Sequence, residues 1–187
     1  MAYSGDDHVY VLACAGFEDV LKVGMSRQPL VRWQSFHPRW FEIFELESSC
    51  LIRLDSRRES RACETRFHRD LAAHRCPAPL AMPMLAGGHS EWYRGAWARA
   101  HELAAGCEAA GLPVERDLRR WAARQMAAEQ PRLYELLSTA AQMAWDGQLA
   151  PMSRRGLLDL VDAHAHFDPA VPERFAELLD ALRNAGR

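Results

Sequence analysis

Residue types that can hydrolyse a phosphate ester are concentrated in the first half of the chain. Tyr10 lies in a short β-branched run, Lys22 follows twelve residues later, and Arg32 lies ten residues beyond Lys22. Glu64 and His68 are spaced to share one face of a helix. A phenol or a lysine can hold or deprotonate a water, and a guanidinium can neutralise charge on phosphoryl oxygens. A single carboxylate can hold one hydrated Mg²⁺, because this ion keeps several waters.

Basic residues cluster around these candidates, although the chain as a whole is weakly acidic. Its 187 residues carry 23 Lys and Arg against 25 Asp and Glu, a net charge of −2, and Lys22 is the single lysine. Residues 53–75 hold seven Arg and four acids, and residues 22–41 hold four basic residues and no acid. A nucleic-acid groove requires such local positive charge. We therefore expect Arg27, Arg61 and Arg75 to bind substrate.

The elements that position these residues alternate between strand and helix patterns up to about residue 95. The predicted elements are strands over residues 8–14, 20–24 and 42–55, helices from Ser26 to Pro38 and over residues 57–75, and a short extended piece over residues 90–93. Ser26 is predicted to cap its helix, and a bulge is expected around Ser48 and Ser49. The sequence thus predicts an α+β domain over residues 1–95.

The second half of the chain shows helical patterns only. The predicted helices cover residues 96–110, 115–129, 131–145, 153–165 and 170–184, with Ser153 and Asp168 as candidate N-caps. We therefore expect an all-helical region over residues 96–187. Its role stays open between covering the sheet, recognising DNA, and binding a protein partner or a second copy of the chain.

Composition and spacing disfavour several other classes of protein. No apolar run approaches the ~20 residues of a membrane span, and the N-terminus lacks a signal-peptide pattern, so a cytoplasmic protein with no membrane association is expected. The five cysteines form no C-x-x-C pair, which favours free thiols. His164 and His166 resemble a metal motif, but they would point to different faces of a helix.

The order and spacing of the first-half motifs resemble the GIY-YIG nuclease superfamily. Val9-Tyr10-Val11 followed by Lys22-Val23-Gly24 is similar to its paired signature, in the phage-type branch whose second motif is K-[IV]-G. Further motifs of that branch are matched by Gly24-x-Ser26, Arg32, Glu64-x-x-x-His68, Arg75 and Glu91-Trp92-Tyr93. The resemblance covers roughly residues 8–95.

This resemblance implies a small three-stranded antiparallel sheet flanked by helices and DNA cleavage that depends on Mg²⁺ or Mn²⁺. By position, Tyr10 would activate the water, Lys22 would orient water or phosphate, and Arg32 would stabilise the transition state. Glu64 would be the sole metal-ligating carboxylate, with His68 beside it as a catalytic residue. Ser26 and Glu91 would join the substrate-binding residues.

Two other functions are compatible with the same sequence. One is a catalytically silent nucleic-acid-binding module of the same fold, in which Glu64 would not matter to any cleavage. The other is a protein-interaction adaptor that uses the helical half and shows no salt-dependent retention on DNA. Metal dependence separates the endonuclease from both.

Overall fold

The computed structural model describes residues 6–16, 19–80, 82 and 90–184. The chain divides into two compact units, Met1–Arg119 and Arg120–Arg187. The first unit therefore extends past residue 95, where the sequence pattern placed the boundary. It includes one helix and one short strand that the prediction had assigned to the helical region.

The first unit is built on one antiparallel sheet. Its strands are β1 (Asp7–Cys14), β2 (Val20–Ser26), β3 (Phe44–Leu54), β4 (Trp92–Arg94) and β5 (Val114–Glu115). They lie in the order β4-β2-β1-β3-β5, so the expectation of three strands is wrong and the sheet has five. The two additional strands are three and two residues long. Such segments show no sequence periodicity, and only their pairing with β2 and β3 defines them.

The long strands follow the sequence pattern closely. β1 and β2 coincide with two predicted strands and pair as an antiparallel hairpin, and Gly16 after β1 has a positive φ of 72°. The predicted bulge is confirmed, because the pairing of β1 with β3 shifts register between Val11 and Ala13. At the bulge the buried Ser49 hydroxyl accepts the Ala13 N–H at 2.9 Å and donates to the Glu45 carbonyl at 2.6 Å.

Helices cover both faces of this sheet. They are α1 (Pro29–Phe36), α2 (Trp40–Ile43), α3 (Arg57–Asp70) and α4 (Trp97–Ala109), with a 3-10 turn at Ala72–His74. Val9 and Val11 pack with residues of α3 and α4. Tyr10 points the other way, and its ring meets Trp33 of α1 edge-on. This alternation along β1 separates the two layers of the core.

Two helix ends differ from their predicted positions. α1 begins at Pro29 with Gln28 as its N-cap, so Ser26 is not the cap; its hydroxyl instead accepts the Gln28 N–H at 3.0 Å in the preceding turn. α3 ends at Asp70 rather than Arg75, and the chain continues as a 3-10 turn.

The predicted free thiols are confirmed; Cys63 and Cys107 face each other with sulfurs 4.0 Å apart.

The second unit is helical. Its helices are α5 (Leu118–Ala128, which begins at the end of the first unit), α6 (Gln130–Trp145), α7 (Pro151–Phe167), α8 (Val171–Arg174) and α9 (Ala176–Asn184). α7 begins two residues before Ser153, with Ala150 as its N-cap, and Asp168 is its C-cap. Leucines of α6 and α9 share one core with Val161 of α7. Among the helices of the described residues, none is long and apolar enough to cross a bilayer.

Candidate active site

Most of the predicted site residues meet at the outer edge of β2, where β4 stops. β4 pairs with β2 over Val20, Leu21 and Lys22, and the Val23 N–H then donates to the Glu91 carbonyl at 3.1 Å. In the described part of the chain, residues 24–26 pair with β1 alone. Side chains from both layers can therefore reach the same point around this edge.

Tyr10 reaches the edge because Gly24 has no side chain. The two residues are directly paired across β1 and β2, and the phenol ring lies against the Gly24 backbone. A Cβ atom on Gly24 would lie 2.6 Å from Cζ of Tyr10 and closer still to its hydroxyl, well inside van der Waals contact. Close approach thus explains the glycine of Lys22-Val23-Gly24.

Arg32 of α1 lies beside the Tyr10 hydroxyl and hydrogen-bonds to it. Its guanidinium also packs over the Phe36 ring, 4.6 Å from the ring centre. Burial raises the pKa of Tyr10 above its usual range, Arg32 opposes this, and the carboxylates of Glu64 and Glu91 add to the rise. Tyr10 is therefore a neutral phenol at neutral pH.

Lys22 is fully buried and lies on the same sheet face as Tyr10. Its ammonium donates to Glu91 Oε2 at 3.0 Å and lies 4.8 Å from the Phe36 ring centre and 5.0 Å from that of Trp92. Burial lowers the pKa of Lys22, and the Glu91 carboxylate opposes the shift. The ammonium therefore contacts two aromatic rings and one carboxylate at once.

Glu91 also belongs to a group of three side chains that form a candidate metal centre. One donor atom each from Glu64, His68 and Glu91 lies within 4.8 Å of the other two, and all three residues are partly exposed. His68 Nε2 lies 3.8 Å from Glu64 Oε1, and His68 Nδ1 shares a 2.6 Å hydrogen bond with the Tyr93 hydroxyl. Metal-binding imidazoles are typically held in this way through their second nitrogen. The three donor atoms thus fit a divalent cation. Besides Glu64, the candidate ligands are His68 and Glu91.

Arg75 joins the site through Tyr93, a residue that the sequence analysis gave no role of its own. The two residues form a backbone bridge, and the Arg75 guanidinium hydrogen-bonds to the Tyr93 hydroxyl. Burial raises the pKa of Tyr93, and Arg75 opposes the rise. The only sequence signal for this role is the third position of Glu91-Trp92-Tyr93.

The structure does not bring every predicted substrate-binding residue to the metal centre. Ser26 is used in a turn, and Arg27 donates from Nε to Asp7 Oδ2 at 3.3 Å. Arg61 is exposed on α3, one turn before Glu64. Arg27 and Arg61 are exposed and Ser26 is partly exposed, whereas Tyr10 and Lys22 are buried close to Glu64 and Glu91.

A known protein family matches the part of the chain that holds the candidate site. Residues 7–108, more than half of the chain, match the family model described as the T5orf172 domain. This range begins with β1, ends near the C-terminus of α4, and includes every side chain of the candidate site. Comparison with curated proteins and with solved structures gives no match.

Proposed function

Because the chain belongs to the T5orf172 domain family, which is associated with phage and homing-endonuclease-like nucleases, we propose that it is a metal-dependent DNA endonuclease of the GIY-YIG type. The observation that carries this proposal is the convergence at one sheet edge of the Glu64, His68 and Glu91 donors with Arg32 and Tyr10. A carboxylate cluster beside a guanidinium and a phenol suits phosphodiester hydrolysis.

Glu64, His68 and Glu91 would hold the cation in this proposal. A bound Mg²⁺ or Mn²⁺ supplies charge neutralisation at a phosphoryl oxygen and lowers the pKa of a coordinated water. The Lys22 ammonium is paired with Glu91 Oε2 at 3.0 Å, so its role would be to fix the Glu91 carboxylate in position. The Tyr93 hydroxyl would fix the orientation of the His68 ring through their 2.6 Å hydrogen bond.

Arg32 and Tyr10 would act on the substrate side. Packing on Phe36 and the hydrogen bond to Tyr10 restrain the guanidinium of Arg32 at a position where it can bind phosphoryl oxygens as negative charge develops. The neutral Tyr10 hydroxyl orients the attacking water by hydrogen bonding. Because burial keeps the phenol protonated, proton removal does not depend on a free phenolate.

A cleavage assay tests the proposal. Purified protein is incubated with single-stranded, duplex and branched DNA in Mg²⁺, in Mn²⁺ and in EDTA, beside Glu64→Gln. Asp70→Asn is a matched control, because Asp70 is a carboxylate on the same helix that contacts Arg69 and Arg99. We expect metal-dependent products from the wild type and the control and none from Glu64→Gln.

Other outcomes would favour the two alternatives. DNA retention without cleavage, unchanged by EDTA, would replace the endonuclease with a nucleic-acid-binding module. If the protein neither cleaves DNA nor shows salt-dependent retention on it, the proposal is overturned. The helical unit would then be the functional part of the chain.

A further inference from the structure

A fully buried carboxylate near the start of β1 holds two exposed arginines. Asp7 has no solvent exposure. Its Oδ2 accepts the Arg27 Nε–H at 3.3 Å, and its Oδ1 accepts an N–H from Arg57 Nη1 at 3.1 Å. Arg27 lies just after β2 and Arg57 is the first residue of α3, so one carboxylate joins two elements of the first unit.

Asp7 fixes the two guanidiniums in position but neutralises only part of their positive charge. Their side chains are 67% and 48% exposed, and the two positive charges share one negative charge. Each guanidinium uses one N–H on Asp7 and has further N–H donors directed elsewhere. A pair restrained in this way loses little side-chain freedom when it binds an anion, in contrast to ordinary surface arginines.

Arg57 of this pair lies on the same face of α3 as Glu64 and His68 of the candidate metal centre. Arg57, Arg61, Glu64 and His68 follow one another at spacings of three or four residues and therefore form one stripe along the helix. Arg57 and Glu64 are separated by about 10 Å along the helix axis. A DNA strand that runs along α3 would cover that axial distance in about three nucleotides.

We propose that Arg27 and Arg57 form a phosphate clamp, positioned by Asp7, that binds the DNA backbone about three nucleotides from the bond to be cut. The clamp rests on the proposed function for its substrate. Arg27 and Arg57 would contact the DNA backbone and so set the position of the DNA strand along α3. The clamp also makes Asp7 a positioning residue that need not touch DNA.

Binding measured without cleavage tests the clamp. Fluorescence anisotropy of a labelled DNA duplex is recorded in EDTA over a range of salt concentrations. For the double variant Arg27→Gln/Arg57→Gln we expect Kd to rise about tenfold and the slope of log K against log salt to fall by about two. Arg69→Gln is the matched control, since Arg69 is an exposed arginine of α3 that also contacts a carboxylate. It should leave both quantities close to wild type.

Asp7→Asn separates positioning from simple charge. Removing an acid near DNA should tighten binding if only net charge matters. If Asp7 orients the clamp, the substitution should weaken binding, and circular dichroism checks that the variant is folded. Tighter binding by folded Asp7→Asn would overturn the clamp, as would an unchanged salt slope in the double variant.

The clamp and the endonuclease can fail separately. Clamp-dependent binding by a wild type that cuts no DNA in Mg²⁺ or Mn²⁺ would overturn the proposed function and support the clamp. Cleavage that is lost in Glu64→Gln, together with a double variant that binds like wild type, would support the proposed function and overturn the clamp.

Discussion

At the scale of single residues, the site depends on an absent side chain as much as on charged groups. Gly24 allows the Tyr10 phenol to cross β2 and reach Arg32 at the edge of the sheet. Lys22 lies between two rings and holds Glu91, and Tyr93 holds His68. Each group that faces substrate is thus restrained by a buried neighbour, as preorganised electrostatic catalysis requires.

Gly24→Ala tests the close approach. The added Cβ would overlap the Tyr10 ring, so the phenol must move away from Arg32 or the strands must separate. We expect the free energy of unfolding to fall by about 1–3 kcal/mol and cleavage to fall at least tenfold. Urea unfolding and single-turnover cleavage measure the two effects.

Gly156→Ala is the control for that substitution. A Cβ on Gly156 meets nothing within 4 Å, and Gly156 lies inside α7. The control should therefore be neutral or stabilise the protein by up to ~1 kcal/mol. Wild-type activity in Gly24→Ala would contradict the close approach.

At the scale of elements, length and periodicity decide what the sequence predicts. β1, β2 and the bulged β3 could be predicted because their buried residues recur along long segments, as could α3. The sequence predicts β4 only as a short extended piece without its pairing to β2, and it does not predict β5, because both pairings join segments that are distant in sequence. For the same reason the helical spacing predicts that Glu64 and His68 share a face of α3, whereas their grouping with Glu91 follows only from the folded edge.

The bulge in β3 provides a prediction at this scale. Ser49→Ala would remove the hydroxyl that satisfies both the Ala13 N–H and the Glu45 carbonyl at a buried position. We expect a loss of about 1–3 kcal/mol in the free energy of unfolding, measured by urea denaturation.

Ser48→Ala is the matched control, since Ser48 is the adjacent, partly exposed serine of the same bulge. It should change stability by less than about 0.5 kcal/mol. Equal effects of the two substitutions would show that the Ser49 hydroxyl does not stabilise the bulge.

At the scale of the whole molecule, the two units carry different properties. The family match and all the candidate site residues lie within the first unit, Met1–Arg119. The second unit, Arg120–Arg187, has its own apolar core, and His164 of α7 is buried. His166 is exposed, so the two histidines point to different faces of α7, as the spacing predicts.

The stability of the second unit should depend on pH through His164. Burial lowers the pKa of His164 to about 4, and Asp168 opposes the shift. The unfolded chain, with a histidine pKa of about 6.5, binds a proton more readily, so stability falls as the pH decreases from about 6.5 towards 4. We expect about 2 kcal/mol less stability at pH 5 than at pH 7.

Urea unfolding of wild type and His164→Leu at the two pH values measures this effect. The Nδ1 atom of His164 has no hydrogen-bond partner among the described residues, so leucine can replace the ring without breaking a side-chain hydrogen bond there. The variant should lose most of the pH dependence. If the variant kept the pH dependence of the wild type, titratable groups other than His164 would be its cause.

The most direct test of the central claim is the single-turnover rate of DNA cleavage as a function of Mn²⁺ and Mg²⁺ concentration, for wild type, Glu64→Gln and His68→Gln. Imidazole binds transition-metal ions more readily than Mg²⁺. We therefore predict no cleavage by Glu64→Gln in either metal, and a weaker apparent affinity of His68→Gln that is more pronounced for Mn²⁺. Cleavage by the wild type in EDTA, or wild-type rates for Glu64→Gln, would contradict the account.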